Sequence, residues 1–275
     1  MTQETRRPPA PVALLGIPWD RHSSYARGPA AAPLAIRKVL ADEAGNWVNS
    51  RFQDLRDPQL MIDVGDVGFD DEAGESVSVS RAVTAQLDRG RPVLSLGGDH
   101  AATYPVFRAY AGRYSGVAIV HIDAHPDLHE SFQGDPLSHA SPFARIMERG
   151  LSPRLMQIGI RASDDHQRRQ AARFGVETFG PDAVNAAISR LPAGPVYVSI
   201  DMDGLDPACA PGVNHPEPGG LTVREVLAII GSIGGPIIGA DIVELSPSRD
   251  VNNLTAKVCA KLVKELVGVM RLPGA

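Results

Sequence analysis

The chain has 275 residues, 43% of them apolar and 21% charged, with 27 Gly and 23 Pro; this is a globular composition able to bury one large core, and it excludes disorder. Lys and Arg number 27 against 32 Asp and Glu, a net charge of −5, which argues against a broad basic face for nucleic acid or anionic lipid and suits a small cationic ligand. With no Pro/Gly/Ser linker and no internal repeat in the sequence, a single domain over 1–275 is expected, with 1–10 flexible.

In chain order, short runs rich in Val, Ile and Leu recur: VALLGI from Val12, LMIDV from Leu60, PVLSL from Pro92, VAIVHID from Val117, LMQIGI from Leu155, VYVSID from Val196 and PIIGADIVEL from Pro236. They are near-continuous rather than alternating, as strands buried on both faces are, so they predict a largely parallel sheet. Segments of helical character separate them, over 30–43, 75–90, 101–112, 138–150, 164–173 and 181–191. Thr222 and Glu225 have capping-box spacing and open a further helix that stops near Gly234 and Gly235. Last, Val258, Leu262, Val263, Leu266, Val267 and Met270 share one helical face while Lys257, Lys261 and Lys264 stay polar. Alternating strand and helix predict a doubly wound α/β sheet.

Cys209 and Cys259 have no CxxC or CxxH spacing, so reduced thiols are expected rather than a disulfide framework or a thiolate zinc site. The apolar stretch in MTQETRRPPAPVALLG is too short for a signal peptide or membrane span, and a cytoplasmic location is expected.

In an open parallel sheet, ligands collect beyond the carboxyl ends of the strands. PVLSL leads into Gly97, Gly98, Asp99 and His100; VAIVHID into Asp123, His125 and Asp127; VYVSID into Asp201 and Asp203; GADIVEL into Glu244. The spacings i, i+2, i+4 and i, i+2 aim each set to one side of extended backbone. Carboxylates gathered there repel one another and raise each other's pKa unless a cation neutralises them. His100, Asp123, His125, Asp127, Asp201 and Asp203 offer two nitrogens and up to eight carboxylate oxygens, too many for one tetrahedral ion and reasonable for two ions sharing carboxylates. Hard donors without thiolate favour Mn2+. Taken singly, each Asp reads as a cap or turn residue and each His as a hydrogen-bonded structural residue. It is DxHxD, DxD and GGDH at three strand ends that together point to a metal centre.

These motifs, GGDH from Gly97, HIDAHPD from His121, SIDMDGLDPACAPG from Ser199, GGLT from Gly219 and ELSP from Glu244, resemble nearly end to end the ureohydrolases, the family of arginase, agmatinase, guanidinobutyrase and formimidoylglutamase. LLGIPWDRHSSYARGP from Leu14, SHASPFARIM from Ser138, HQRRQAARFGVE from His166 and APGVNHPEPGGLT from Ala210 are similar to its plant-type arginase and agmatinase branch. The resemblance implies a three-layer α/β/α, arginase-like fold and two Mn2+ per chain. His100, Asp123, Asp127 and Asp201 would hold one ion, and Asp123, His125, Asp201 and Asp203 the other. It implies that His139 shuttles protons at the mouth and that Glu244 pairs with a substrate guanidinium. The implied reaction is attack of a hydroxide held between the ions on a guanidino carbon, with Asp127 carrying its proton to the leaving nitrogen, so that urea and an amine are released. A homo-oligomer, trimer or hexamer, is implied as well.

Arginine needs partners for an α-carboxylate and an α-ammonium, agmatine for neither, and guanidinobutyrate for a distal carboxylate. The loop residues Trp19, His22, Ser23, Ser24, Arg27, His129, Ser131, Gln133, Asp135, Asn214 and His215 are candidates, each readable equally as a solvated loop residue. Ser131, Gln133, Asp135 and His215 are singled out as substrate-binding. Asp135 stands where plant-type relatives tend to carry Asn, and its charge suits a cationic tail; Arg27 and His215 pull toward a carboxylate. Agmatine or L-arginine is therefore the expected substrate, with a guanidino acid or a formimino compound as alternatives. A non-catalytic, metal-stabilised binding protein is the alternative from another class, and the intact ligand set with His139 and Glu244 argues against it. Asp99 is expected to orient the GGDH turn or His100 rather than bind metal.

Overall fold

The computed structural model describes residues 10–43, 45–70, 72 and 74–270. Residues 1–9, on which the expected N-terminal flexibility falls, lie outside them. The first half of the chain runs β1 (Val12–Gly16), α1 (Ala32–Leu40), β2 (Met61–Asp66), α2 (Glu75–Leu87), β3 (Val93–Leu96), α3 (Thr103–Ala111), β4 (Ala118–Ile122) and α4 (Pro142–Glu148). The second runs β5 (Leu155–Ile158), α5 (Asp165–Phe174), β6 (Glu177–Phe179), α6 (Val184–Ile188), β7 (Val196–Asp201), α7 (Val223–Ser232), β8 (Ile237–Val243) and α8 (Leu254–Val267). The strands form one sheet in the order β2-β1-β3-β8-β7-β4-β5-β6. Every pairing between them is parallel, so all the carboxyl ends leave the same edge.

Alternate side chains along the inner strands enter two apolar layers. One joins Leu14, Leu96, Ile122, Ile200 and Ile242 to the helices through Ile36, Ile229 and Leu262. The other joins Leu15, Val93, Ile119, Tyr197 and Ile238 to Val83, Phe107 and Phe143. With helices on both faces there is no solvated face to demand polar residues, which is why the strand sequences are continuous rather than alternating. The three-layer α/β/α fold is the one expected from the sequence.

Differences in the elements have local causes. β6 carries no apolar run because it is a three-residue edge strand, paired only with β5 and partly exposed. The helix expected from 138 begins only at Pro142, which takes the first helical position where its missing N–H is no loss. That leaves 138–141 as a loop, with His139 buried in it. No helix among the described residues is long and apolar enough to cross a membrane.

The capping box at α7 is complete: Glu225 N–H donates to Thr222 Oγ1 at 3.2 Å, and Thr222 N–H donates back to Glu225 Oε2 at 2.8 Å. Thr222→Ala is therefore expected to lower stability by about 1 kcal/mol, a fall of about 2 °C in Tm by calorimetry.

Candidate functional site

Strand order assembles the site. β3, β8, β7 and β4 are consecutive neighbours, and Leu96, Ile242, Ile200 and Ile122 lie in one register row across them. Residues at and just past that row emerge side by side: His100 after β3, Glu244 after β8, Asp201 and Asp203 at the end of β7, and Asp123, His125 and Asp127 after β4. Glycines let the turns converge. A Cβ on Gly98 would fall 1.7 Å from the Trp19 carbonyl oxygen, and one on Gly204 would fall 2.8 Å from Asp123 Cα. Asp127 and Glu244 have φ of +51° and +64°, left-handed backbone that a residue with a side chain occupies only when its surroundings hold it there.

His100 Nδ1 is buried 3.2 Å from Asp123 Oδ2, 2.9 Å from Asp127 Oδ2 and 3.1 Å from Asp201 Oδ2. On the far side of the ring, Nε2 lies 3.0 Å from Ser199 Oγ, which itself donates to Asp241 Oδ1 at 2.6 Å. Tyr197 and Thr103 hydroxyls donate to the other Asp241 oxygen at 2.6 and 2.9 Å. Because the Ser199 proton goes to Asp241, Ser199 accepts from Nε2–H, and the Nδ1 lone pair is left facing three carboxylate oxygens with no hydrogen-bond partner. On the other flank His125 Nδ1 lies 3.2 Å from Asp203 Oδ2 and 3.5 Å from Asp123 Oδ1.

Two sets of donor atoms lie close enough to share an ion: Asp123, His125 and Asp203, and His100, His121 and Asp123. His121 is better read as a support. Its Nε2 donates to Asp123 Oδ2 at 2.7 Å, its Nδ1 accepts from Gln157 Nε2 at 3.1 Å, and both nitrogens are thereby engaged.

The cluster's electrostatics call for positive charge. Burial, then the charges of Asp203 and Asp123, push Asp201 well up; burial and Asp123 push Asp203 up to about 7. Burial disfavours charged imidazoles, yet the surrounding carboxylates outweigh it, raising His100 and carrying His125 to about 12. Protons or divalent cations can supply that charge. The orphaned Nδ1 and a donor set of carboxylate oxygens with two imidazoles fit hard divalent cations, and neither free cysteine belongs to the set.

Beside the cluster opens a cavity of about 250 Å³, lined by Ser24, His125, Asp127, His129, Phe132, His139, Ala140, Gln167, Asp201, Asp203, His215 and Glu244. Glu244 Oε1 accepts from His100 N–H at 2.9 Å and from His139 Nδ1 at 2.8 Å, while Oε2 is buried without a partner. Glu244, a residue of the cavity lining, thus carries an unmet acceptor. Burial disfavours the His139 cation, but the charge and hydrogen bond of Glu244 outweigh it and lift its pKa to about 9. Toward the loop after β1, His139 Nε2 lies 2.8 Å from Ser24 Oγ.

The structure thus brings together His100, Asp123, His125, Asp127, Asp201, Asp203, His139 and Glu244. Of the residues singled out for substrate, His215 lines the cavity, whereas Ser131, Gln133 and Asp135 do not. Phe132 and Asp135 pair main chain to main chain around a tip formed by Gln133 (φ +52°) and Gly134 (φ +83°). This leaves Ser131 and Gln133 exposed, turns the Asp135 carboxylate to His22 and makes Phe132 the wall residue. Arg27 is also off the cavity, near Asp20. Asp99 accepts from Ala101 N–H through Oδ1 and from His22 N–H and Ser23 Oγ through Oδ2, pinning the GGDH turn to the loop after β1. Phe132, Gln167 and the buried groups behind the cluster have no motif. The signal available for some of them is a polar residue two positions before a carboxylate of the cluster in an apolar strand, Ser199 before Asp201 and His121 before Asp123, since such pairs share a strand face.

Comparison with known proteins gives one consistent result. The sequence model described as "Arginase family" matches residues 10–268. Arginase 1, mitochondrial, of Arabidopsis thaliana is 45% identical over 276 residues, covering 94% of this chain and 80% of that protein. Agmatinase of Bacillus anthracis is 32% identical, covering 93% and 90%. The solved structure of arginase from Medicago truncatula superposes with a TM-score of 0.89 at 42% identity, covering 96% of this chain and 88% of that one.

If the cluster holds divalent cations, Asp241→Asn is expected to weaken their binding about 10- to 100-fold by loosening the support of His100, with the circular dichroism spectrum retained; titration with Mn2+ as the probe, followed by electron paramagnetic resonance, reads the change. In the metal-free protein the His139 imidazole should titrate near pH 9. Glu244→Gln, which removes the stabilising anion, should move that titration down, as read by NMR.

Proposed function

The chain belongs to the arginase family, and from that premise and the site's geometry we propose that it is a ureohydrolase carrying two Mn2+ that converts L-arginine or agmatine into urea and an amine. The observation that carries this reading is Glu244, a residue lining the cavity that Asp127, Asp201 and Asp203 also line, whose buried Oε2 has no hydrogen-bond partner. A guanidinium presents a planar fork of N–H donors to such an oxygen. Two curated relatives, named arginase and agmatinase, support the substrate pair. The lining supports it as well, since among the described residues it includes no Lys or Arg to balance a tail that ends in a carboxylate alone.

His100, Asp123, Asp127 and Asp201 would hold one ion, and Asp123, His125, Asp201 and Asp203 the other. When bound, such ions lower the pKa of water and so supply a nucleophile near neutral pH. The chain's own groups do the rest. Glu244 Oε1 is fixed by His139 and His100 N–H, so Oε2 is free to accept the guanidinium and set the orientation of its carbon. Asp127, lining the same cavity, takes the proton released as water attacks that carbon. The C–N bond to the substrate chain breaks, the nitrogen leaves with that proton, the hydroxyl left on the guanidino carbon gives its own proton to the freed Asp127 carboxylate, and the carbon departs as neutral urea. His139, hydrogen-bonded to Glu244 on one side and to Ser24 on the other, exchanges protons between the site and the loop carrying Ser24.

The test is urea release by Mn2+-loaded protein with L-arginine, agmatine, 4-guanidinobutyrate and free guanidine. Turnover is expected with one of the first two and its loss after chelation, with recovery on adding Mn2+ back. Two bound ions without urea from any guanidino compound would overturn the reading.

A further inference from the structure

The outer wall of the cavity is carried by a segment with few ties of its own. Within 130–137, Asp135 is the hub. Its N–H donates to Phe132 C=O at 3.0 Å and its C=O accepts from Phe132 N–H at 3.1 Å. Its Oδ1 accepts from Leu137 N–H at 2.8 Å, and its Oδ2 accepts from His22 Nδ1 at 2.6 Å. Among the described residues, the only other side-chain hydrogen bond from this tip to the rest of the chain is between Glu130 and Arg173. Both of those side chains are more than half exposed, and such pairs contribute little.

His22 is the fixed end of this contact. Its N–H donates to the buried Asp99 Oδ2 at 3.0 Å, and its C=O accepts from His139 N–H at 3.2 Å. Its ring meets buried Trp19 edge to face at 5.0 Å, and Trp19 is itself tied to Glu75 at 2.7 Å. The labour is divided within one residue: the main chain of His22 serves Asp99 and His139, and its Nδ1 serves Asp135.

From this division we infer that His22 and Asp135 form a latch that positions the wall of the substrate-tail subsite. The latch holds the Asp135 hub, the hub holds Phe132 by two main-chain hydrogen bonds, and Phe132 leans on the neighbouring wall residue His129 with ring centroids 5.0 Å apart. Both are positioning residues, and the inference rests on the ureohydrolase reading of the site. Releasing the latch leaves the main-chain ties of His139 and the Glu244 contacts in place, so its effect falls on binding of the part of the substrate beyond the guanidinium.

Three variants test it. Asp135→Ala removes the acceptor, His22→Phe keeps a ring against Trp19 and removes the donor, and the third combines both. For the preferred guanidino substrate, each single variant should raise KM about tenfold, the effect of losing one charge-assisted hydrogen bond. kcat should stay within about twofold, and kcat/KM for free guanidine, which has no tail, should not change. The double variant should be no worse than the poorer single one, because both remove the same contact. Hydrogen exchange at the amides of Phe132, Asp135 and Leu137 should accelerate in all three, with Tm and Mn2+ content kept. Unchanged exchange and KM, additive effects, or an equal loss with free guanidine would overturn the latch. Exchange needs no turnover, so a protein that releases no urea would sink the reaction while leaving the latch to be judged on its own.

Discussion

The structure is organised around negative charge buried at the carboxyl edge of an apolar sheet. Asp123, Asp201 and Asp203 are almost wholly removed from water, where an unpaired carboxylate is costly enough to be driven neutral. The protein resolves this with imidazoles aimed into the cluster, main-chain donors such as His125 N–H to Asp123 and Asp203 N–H to Asp201, and a donor geometry suited to cations. The parallel sheet makes the concentration of charge possible, because four adjacent strands deliver their ends to one place and their hydrogen-bonded register prevents those ends from moving apart.

Support for the cluster lies deeper than the residues that form it. The Asp241 carboxylate gathers the hydroxyls of Ser199, Tyr197 and Thr103 inside the apolar core, and through Ser199 it fixes which nitrogen of His100 faces the carboxylates. Gln157 does the same for His121, and so for Asp123. A buried polar network of this kind is tolerable because its members satisfy one another, and its rigidity is what holds a preorganised site. The mouth is built differently. There the loop after β1 meets the GGDH turn through Asp99 and the 130–139 segment through His22 and Ser24, contacts between loops that a change of side chain can adjust without disturbing the sheet.

Much of this was legible in the residues. Six strands appear as continuous apolar runs because each lies inside the sheet and is covered on both faces; the edge strand β2 shows only the short run LMIDV before its exposed end, and β6, the other edge, has three residues and no run. GGDH, DxHxD and DxD announce the cluster, since few local structures require so many ligating groups at strand ends. The mouth was not legible. Ser131, Gln133 and Asp135 look as eligible as His129, but a turn with positive φ at Gln133 and Gly134 exposes two of them and gives the third to His22. Phe132 and Gln167 carry no chemical signature, and only the cavity shows that they line it.

By itself, then, the sequence determined the class of fold, the positions of most elements and the identity of the groups at the strand ends, because these follow from burial and spacing within short segments. Tertiary structure decided which strand ends are neighbours. His100 and Glu244 stand 144 positions apart, yet Glu244 Oε1 accepts from His100 N–H because β8 is inserted between β3 and β7. It also decided that Asp241 stands behind His100 and that Asp135 faces His22 instead of the cavity. Local propensity carries no information about either, because both depend on the order of strands in the sheet and on the path of loops across its edge.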